Sequence, residues 1–448
     1  MTGRTFIRCL VFIGFGMLGV ASCGAESNPI TLQTALRLAG AQNRAVEISA
    51  ERVVEARSGL DRERQGMFPW LSPGVGYRRH DGNLQDVVGN VFDASKQSGT
   101  AALTVQAQVE LGDSIYRVLA AKQSVRAVEA DEATQRRVTT VQAAAAYLEL
   151  SRAAASLSAA EELVRISDEY LGQVRRAVEA GLAFAGDVQR AAIQRERNES
   201  LRLRTQEEVR VASVRLAQVL RLPMHVELRP DLNEFIPVAL VSTNRTLDAL
   251  MASALGHRSE LAGAQARIAG AAASKDGTTV GPWIPTLGAQ ASLGGFAGGR
   301  NGEFRNADDF QDYFLGLSWR IGPGGIGDRT RTRGAESRLR IARLNAEQAR
   351  DEVIREVIEA RTRAESAAAQ LAVASRALAS SRELLQLTQA RREFGVGVVL
   401  EAIDAQREFT RSQSEQIRAI ADHNRIQWEL WSAVGEPDPG IPKLGNPR

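Results

Sequence analysis

The 448-residue chain contains very little cysteine, lysine or histidine, and it lacks long apolar segments. Its two cysteines, Cys9 and Cys23, both lie near the N-terminus. The first falls within a candidate signal peptide, so no internal disulfide is expected in the mature chain. No stretch after residue 25 contains the roughly 20 apolar residues that a membrane-spanning helix needs. If the mature chain crosses a membrane, it must therefore do so as a closed β-barrel.

The composition also lacks a strong excess of one charge and shows no pattern of catalytic residues. The chain carries 56 basic and 53 acidic residues, a net charge of +3, and its arginine-rich segments are interspersed with glutamate. This mixture predicts solvated helix faces, so we expect no nucleic-acid partner. We find no nucleophile–base or acid–base constellation and no metal-ligand spacing, and we predict a non-enzymatic protein without a cofactor or metal site. Packing or surface roles are expected for the scattered His80, His225, His257 and His423.

The N-terminal segment has the features of a bacterial export signal. Arg4 and Arg8 precede an apolar run from Cys9 to Val20, which small residues and Cys23 follow. This order is typical of a secretory signal peptide, here predicted over residues 1–22. The run Val20-Ala21-Ser22-Cys23 resembles the bacterial lipobox, in which the cysteine carries lipid; cleavage near Cys23 without lipid is the alternative. In bacterial lipoproteins, an Asp directly after the lipidated cysteine is linked to retention in the inner membrane. Gly24 occupies that position here, which predicts the outer membrane.

An internal duplication organises most of the chain. The cluster Phe68-Pro69-Trp70-Leu71 resembles Trp283-Ile284-Pro285-Thr286-Leu287, and the segment Ser167–Leu171 corresponds to Ser381–Leu385. Gly181 and Gly395 then follow at the same offset, which predicts a tandem repeat. The predicted domains are a lipoprotein signal peptide over residues 1–22, a first repeat over 23–222, a linker over 223–244, a second repeat over 245–436 and a C-terminal tail over 437–448.

Each copy is predicted to contain a short helix, two strands, a long helix, a turn and another short helix. Apolar residues alternate with polar ones in the strand candidates, which is typical of a sheet with one apolar face. Segments rich in Gly, Asn and Asp, over residues 81–99 and 298–309, are predicted to be long exposed loops between paired strands. The four strand candidates are Val75–Tyr77, Leu103–Leu111, Leu287–Leu293 and Tyr313–Ile321.

The helices are predicted to be unusually long. Residues 113–180 lack proline and have heptad-like apolar spacing, and at about 1.5 Å per residue they predict a helix of about 100 Å. Residues 328–394 predict a second helix of similar length. A generic coiled coil is the alternative interpretation, because apolar heptads usually indicate only helix packing. Short helices, which could stack in pairs beside each long one, are predicted over residues 31–66 with 187–221 and 245–276 with 400–434.

The predicted strands are too few for one chain to build a membrane wall. About eight strands is the smallest number whose side chains can fill a closed barrel, whereas one whole chain, with both repeats, would supply four. An open sheet edge in lipid leaves backbone groups unpaired at a cost of several kcal/mol each. Several chains must therefore pool their strands, so that two copies would give eight and three would give twelve.

With its lipobox, its duplicated helix–strand–strand–helix repeat and its two turn motifs, the chain resembles the TolC/OprM-type outer membrane efflux protein family over roughly residues 30–436. The most specific motifs lie at residues 180–189 and 394–407. The resemblance implies a mainly α fold with a β-barrel part. It implies a homotrimer whose 12-stranded barrel sits in outer membrane lipid and whose long coiled-coil helices form a periplasmic tunnel.

The same resemblance implies a role in export. It predicts an outer-membrane lipoprotein channel that acts as the exit duct of a tripartite efflux or type I secretion system. Solutes would come from an inner-membrane pump of the RND or ABC type through a periplasmic adaptor (a membrane fusion protein). Drugs, metal ions and polypeptides all stay open as cargo.

The tip turn of the second copy matches the periplasmic aperture of that family. Glu401 and Asp404 are three residues apart, hence on one helix face, and match positions of constriction-lining carboxylates. The alternative is that acids in a first helical turn only complement the helix dipole. Asp187 matches a family acid with a basic partner, but that partner's position is Gly397 here, so Arg391 or Arg392 could substitute. The aperture candidates are Leu400, Glu401, Asp404, Arg407 and Asp187, and the tip-turn glycines are Gly181, Gly395 and Gly397.

Two other functions fit the sequence less well. Residues 322–327 read G-x-G-x-x-G between a strand and a helix, as in a nucleotide-dependent oxidoreductase. That motif needs a βαβ unit of about thirty residues, whereas the predicted helix continues for more than sixty, so we interpret the glycines as a strand-to-helix elbow. A periplasmic coiled-coil adaptor would need one helical hairpin flanked by compact β modules, and the duplication predicts two hairpins.

Overall fold

The computed structural model describes residues 28–242, 245–393 and 399–437. The predicted signal peptide, Cys23, the turn glycines Gly395 and Gly397, and all but the first residue of the predicted tail lie outside the described residues. In chain order the elements are β1 (Asn28–Ile30), α1 (Leu32–Gln42), α2 (Arg44–Gln65), β2 (Trp70–Gln85), β3 (Val91–Glu110), α3 (Leu111–Glu179), α4 (Ala185–Leu220), β4 (Leu228–Pro230), α5 (Leu247–His257), α6 (Ser259–Thr279), β5 (Thr286–Arg300), β6 (Arg305–Ser318), α7 (Arg329–Glu393) and α8 (Val399–Val434). Short 3-10 helices span Leu232–Glu234 and Gly281–Trp283.

The predicted long helices are confirmed as α3 and α7, of 69 and 65 residues. α3 packs along α2, α4 and α6, and α7 packs along α5, α6 and α8. The short helices α1, α2 and α4, of 11, 22 and 36 residues, together match the length of α3. No described helix combines the length and the hydropathy that a transmembrane helix requires.

The sheet is built from both repeats in the order β2-β3-β5-β6, with every neighbouring pair antiparallel. Each repeat contributes one hairpin, and the first hairpin joins the second through β3 and β5. The predicted alternation holds in the centre of the sheet. One face carries Leu103, Val105, Leu293 and Tyr313 as exposed apolar side chains. On the other face Thr104 hydrogen-bonds to Ser292 at 3.1 Å, and Gln106 donates to Gln290 at 3.4 Å.

The strands are longer, and their loops shorter, than the sequence predicts. The predicted loop over residues 81–99 is wrong, because the ladder between β2 and β3 continues to the pair Gln85 and Val91. Asp86 closes the remaining turn by accepting the N–H groups of Val88 and Asn90 at 3.0 and 2.8 Å. The predicted loop over 298–309 likewise shrinks to a turn between Arg300 and Arg305. Pairing of backbone groups across a hairpin does not require apolar side chains, so polar composition misidentified these segments.

Hydrogen bonds hold the predicted linker against the helices. Glu234 accepts hydrogen bonds from the Tyr147 hydroxyl at 2.7 Å and from the N–H of Leu32 at 3.0 Å, which satisfies a free donor at the start of α1. Burial, reinforced by that carboxylate, raises the pKa of Tyr147. On the other side Asn424 of α8 accepts from Val238 and donates to the carbonyl of Ile236, at 2.9 and 2.8 Å. The largest apolar clusters surround this level of the bundle, around Leu216 and Leu220 on one side and Trp428 and Trp431 on the other.

Residues 322–327 form the predicted strand-to-helix elbow. Gly322, Gly324 and Gly327 have φ of +103°, +76° and +88°, values that L side chains rarely adopt. The N–H of Ile326 donates to the carbonyl of Arg320 at 2.9 Å, which folds the run into a tight loop. After this loop the chain enters the long helix α7 and does not form a βαβ unit. The positive φ angles of the loop therefore explain its glycines.

Candidate functional site

The tip turn of the first repeat is closed by a Schellman motif, in which two hydrogen bonds run back into the end of the helix. Gly181 has φ of +75°, and its N–H donates to the carbonyl of Val178 at 2.9 Å. The N–H of Leu182 donates to the carbonyl of Ala177 at 2.8 Å. Only glycine adopts this left-handed conformation without strain, so turn geometry accounts for Gly181.

Apolar side chains project from the tips into solvent. Leu182 is 83% exposed and Phe184 is 72% exposed in the first tip turn, and Leu400 at the start of α8 is 51% exposed. The second tip turn, residues 394–398, contains the predicted Gly395 and Gly397 and lies outside the described residues. Exposed apolar groups clustered at one end of a long bundle favour contact with another protein surface.

The two predicted aperture acids make one ion pair each. A carboxylate oxygen of Glu401 lies 3.7 Å from Arg391, so this pair connects the end of α7 with the start of α8. Asp404 lies 3.5 Å from Arg407, one turn further along α8. All four side chains are about half exposed, and exposed pairs of this kind contribute only about 0–1 kcal/mol each. Neither pair is strong enough to hold the tips in one arrangement.

Asp187 has a different partner from the ones considered in the sequence. It pairs with Arg190 of its own helix at 3.1 Å, and its side chain is only 15% exposed. Arg391, which could have substituted for the missing basic residue, pairs with Glu401 instead. Residues three positions apart on a helix are neighbours, so Asp187 reaches Arg190 without any contact between the two repeats.

Arg407 belongs to a polar network that crosses three helices. Its Nε donates to Oε1 of Gln194 on α4 at 3.2 Å, which ties the second repeat to the first. Nε2 of Gln194 donates to Asn198 at 3.1 Å, and Nδ2 of Asn198 donates to Ser167 on α3 at 3.0 Å. Gln194 and Asn198 are buried, where satisfied polar groups fix one packing arrangement. The sequence offered one signal that was missed: two amides four residues apart on the buried face of α4, in line with Ala191.

The tip therefore combines exposed acids, weak ion pairs and one buried polar tie. In the described residues no three His, Cys, Asp or Glu side chains come close enough to hold a metal ion together. Carboxylates near solvent attract cations without binding them in a cage.

The outer membrane efflux protein family model matches the sequence over residues 35–220 and 250–436. One match falls in each copy, so the internal duplication predicted from the sequence landmarks is confirmed. No curated protein sequence matches the chain.

Solved structures of outer membrane channels share the fold. A membrane protein from Pseudomonas aeruginosa has a TM-score of 0.75 at 20% identity, with 90% of this chain and 93% of that chain covered. The outer membrane protein VceC from Vibrio cholerae has a TM-score of 0.75 at 18% identity, with 90% and 96% covered. The open state of the MtrE outer membrane channel of Neisseria gonorrhoeae has a TM-score of 0.73 at 19% identity, with 90% and 88% covered. At such identities the likeness shows the fold, and it confirms the predicted fold class.

Proposed function

The chain belongs to the outer membrane efflux protein family, whose members are channels and not enzymes, and from this premise we propose that it is the exit duct of a tripartite efflux or type I secretion system. Three copies would assemble into one pore. A periplasmic adaptor and an inner-membrane pump would deliver solutes to the helical end, and the solutes would leave through the sheet end.

The observation that carries this proposal is a sheet with two open edges. β2 and β6 are the outer strands, and each has one strand neighbour among the described residues. One face of the sheet exposes Leu103, Val105 and Leu293, as a lipid-facing surface would. Because unpaired backbone groups are not tolerated in lipid, the edges of one chain must pair with those of other copies. Three four-stranded sheets would close a wall of twelve strands.

We also assign the tips to the narrow periplasmic mouth. Glu401 and Asp404 would contribute six carboxylates around the axis of a trimer, while Leu400, Leu182 and Phe184 would supply apolar contacts. The single ion pairs at Glu401 and Asp404 are weak, so an adaptor that contacts the tips better in the open arrangement would shift the population towards it. Arg407, through Gln194, and Asp187 would position the first turns of α8 and α4.

Assembly and conductance test this proposal together. In mild detergent, analytical ultracentrifugation should give three chains per particle, and the purified protein should depend on detergent and migrate differently on gels after heating. In planar bilayers the particle should produce discrete conductance steps. A monodisperse monomer that stays soluble without detergent would rule out the exit duct and favour a periplasmic adaptor or another coiled-coil interaction protein.

A further inference from the structure

The sheet carries a cationic cavity at the end remote from the helices. The cavity has a volume of about 910 Å³ and lies where β2, β3, β5 and the turn after β5 meet. Four cationic side chains and a single carboxylate, Glu303, contribute to its lining. The cations are Arg78, Lys96, Arg300 and Arg305.

Strand register places these cations on the polar face of the sheet. Lys96 is directly opposite His80 of β2 and Arg300 of β5, and Arg78 lies two residues from His80. Every second residue of a strand lies on the same face of the sheet. Lys96 therefore shares a face with Thr104, that is, the polar face whose side chains hydrogen-bond between β3 and β5. Directly opposite side chains have Cβ atoms about 4.5–5.5 Å apart, and like charges there destabilise a sheet. An anion between them would turn that repulsion into attraction.

Most of the cavity's positive charge is uncompensated. Within the described part of the chain, the side chains of Arg78, Lys96 and Arg300 have no ion pair and no hydrogen bond, whereas arginines on the helices commonly pair with acids one turn away. Arg305 pairs with Glu303, the cavity's one acid. Three cations therefore face the cavity without a counter-charge from the described residues.

One buried polar atom beside these cations also lacks a hydrogen-bond partner. His80 lies directly opposite Lys96, and its Nε2 is shielded from solvent and makes no hydrogen bond within the described residues. In its N–H form the imidazole Nε2 can only donate, so its missing partner would be an acceptor. Uncompensated cations and an unused donor call for the same kind of ligand.

We propose that this cavity binds the anionic group of a solute, a phosphate or a carboxylate, on its way out of the duct. The proposal rests on the exit-duct function in one respect, namely that the polar face of the sheet is the inner wall of the pore. Because the cations share that face, a dissolved solute, rather than a lipid headgroup on the apolar face, is the ligand. Arg78, Lys96 and Arg300 would make charge-assisted hydrogen bonds to it, and the duct would favour anionic cargo at its exit.

Arg79 provides a matched control for the test. It follows Arg78 on β2 and therefore lies on the opposite face, where it donates to Asp81 at 2.7 Å. Arg300→Gln and Arg79→Gln each remove one positive charge from the same end of the sheet by the same chemical change. The triple variant Arg78→Gln, Lys96→Gln, Arg300→Gln enlarges the effect. Circular dichroism and particle mass would show that each variant is folded and assembled.

The first measurement is calorimetric titration of the full chain in detergent with tripolyphosphate. The unchanged protein should bind it, and the triple variant should bind about tenfold more weakly or worse, because hydrogen bonds to charged groups are worth more than neutral ones. Arg300→Gln should weaken binding and Arg79→Gln should not. Absence of binding to the unchanged protein, or equal losses in the two single variants, would overturn the inference.

The second measurement is the reversal potential of the pore in a salt gradient, with tripolyphosphate added to each side in turn. The triple variant should shift the reversal potential towards stronger cation selectivity and lose tripolyphosphate block, whereas Arg79→Gln should change neither. If binding is lost while selectivity stays unchanged, the cavity does not line the duct and the inference fails. If no variant conducts but tripolyphosphate still binds at the cavity, the exit-duct function fails while the anion site stands.

Discussion

Glu401 and Asp404 show how little free energy holds individual residues at the tips. Each acid has one half-exposed ion pair, with Arg391 and Arg407 respectively, and such pairs contribute about 0–1 kcal/mol. In a closed ring of three chains, repulsion between the acids would offset part even of that. Screening by salt would therefore be among the factors that set the state of the proposed mouth.

Replacing Glu401 and Asp404 together by Ala should weaken block by trivalent cations about tenfold or more, since one contact between unit charges is worth about 1 kcal/mol even in water. Cation selectivity should fall as well. The change in conductance has no fixed direction, because the double substitution removes both the repulsion between the acids and their ion pairs. Planar-bilayer recordings measure all three quantities.

Glu415→Ala is the control for the aperture acids. Glu415 lies fourteen residues beyond Glu401 on α8, roughly 21 Å along the helix, and pairs with Arg411 at 3.1 Å. It should leave selectivity and block unchanged, while the single variant Glu401→Ala shows part of the effect. Wild-type block and selectivity in the double variant would mean that these acids do not line the mouth.

At the scale of elements, the junction between sheet and helices depends on a close contact between two backbones. Gly112, in the first turn of α3, faces Gly281, which begins the 3-10 helix before β5. A Cβ on Gly112 would lie 2.1 Å from the carbonyl oxygen of Gly281. The two repeats can therefore come together at this level only because neither backbone carries a side chain there.

Gly112→Ala should force these backbones apart and destabilise the protein by about 1–3 kcal/mol, the usual cost of overpacking. Gly59→Ala, in the interior of α2, is the matched control because no atom lies within 4 Å of the added Cβ. Alanine should stabilise that helix by about 0.8–1.0 kcal/mol. Apparent melting temperatures in detergent should shift in opposite directions, and equal shifts would contradict the role of the contact.

For the whole molecule, the anchor and the sheet would provide two independent attachments to the membrane. Cys23 lies outside the described residues, and its lipidation stays a prediction from residues 20–23. Intact-mass measurement should find a diacyl- or triacylglyceryl group on a chain that begins at Cys23. Cys23→Ser should lack that mass and wash from membranes more readily, while its sheet can still insert.

Cys9→Ser is the control for the anchor. Cys9 lies within the predicted signal peptide of residues 1–22, so this variant should yield the same mature mass as the unchanged protein. An unmodified N-terminus on the unchanged protein would refute the anchor and leave the channel proposal intact.

The sequence alone determined the features of this protein that depend on local periodicity and on repetition. Apolar spacing along α3 and α7 predicted their extent within a few residues, and alternation identified the sheet with its apolar face. The elbow glycines could be assigned because a positive φ demands the same residue in any context. Such signals are carried by neighbours along the chain, so they can be read without knowing what packs where.

The tertiary structure alone decided which distant residues meet. Strand pairing extended the hairpins through polar segments, because the backbone of a partner strand stabilises residues whose side chains favour loops. Packing of α4 against α8 brought Gln194 to Arg407. Register placed Lys96 beside Arg300, more than two hundred residues away in sequence, and so created the cationic cavity. A contact of that range has no periodic signal, because its free energy exists only once both elements are in place.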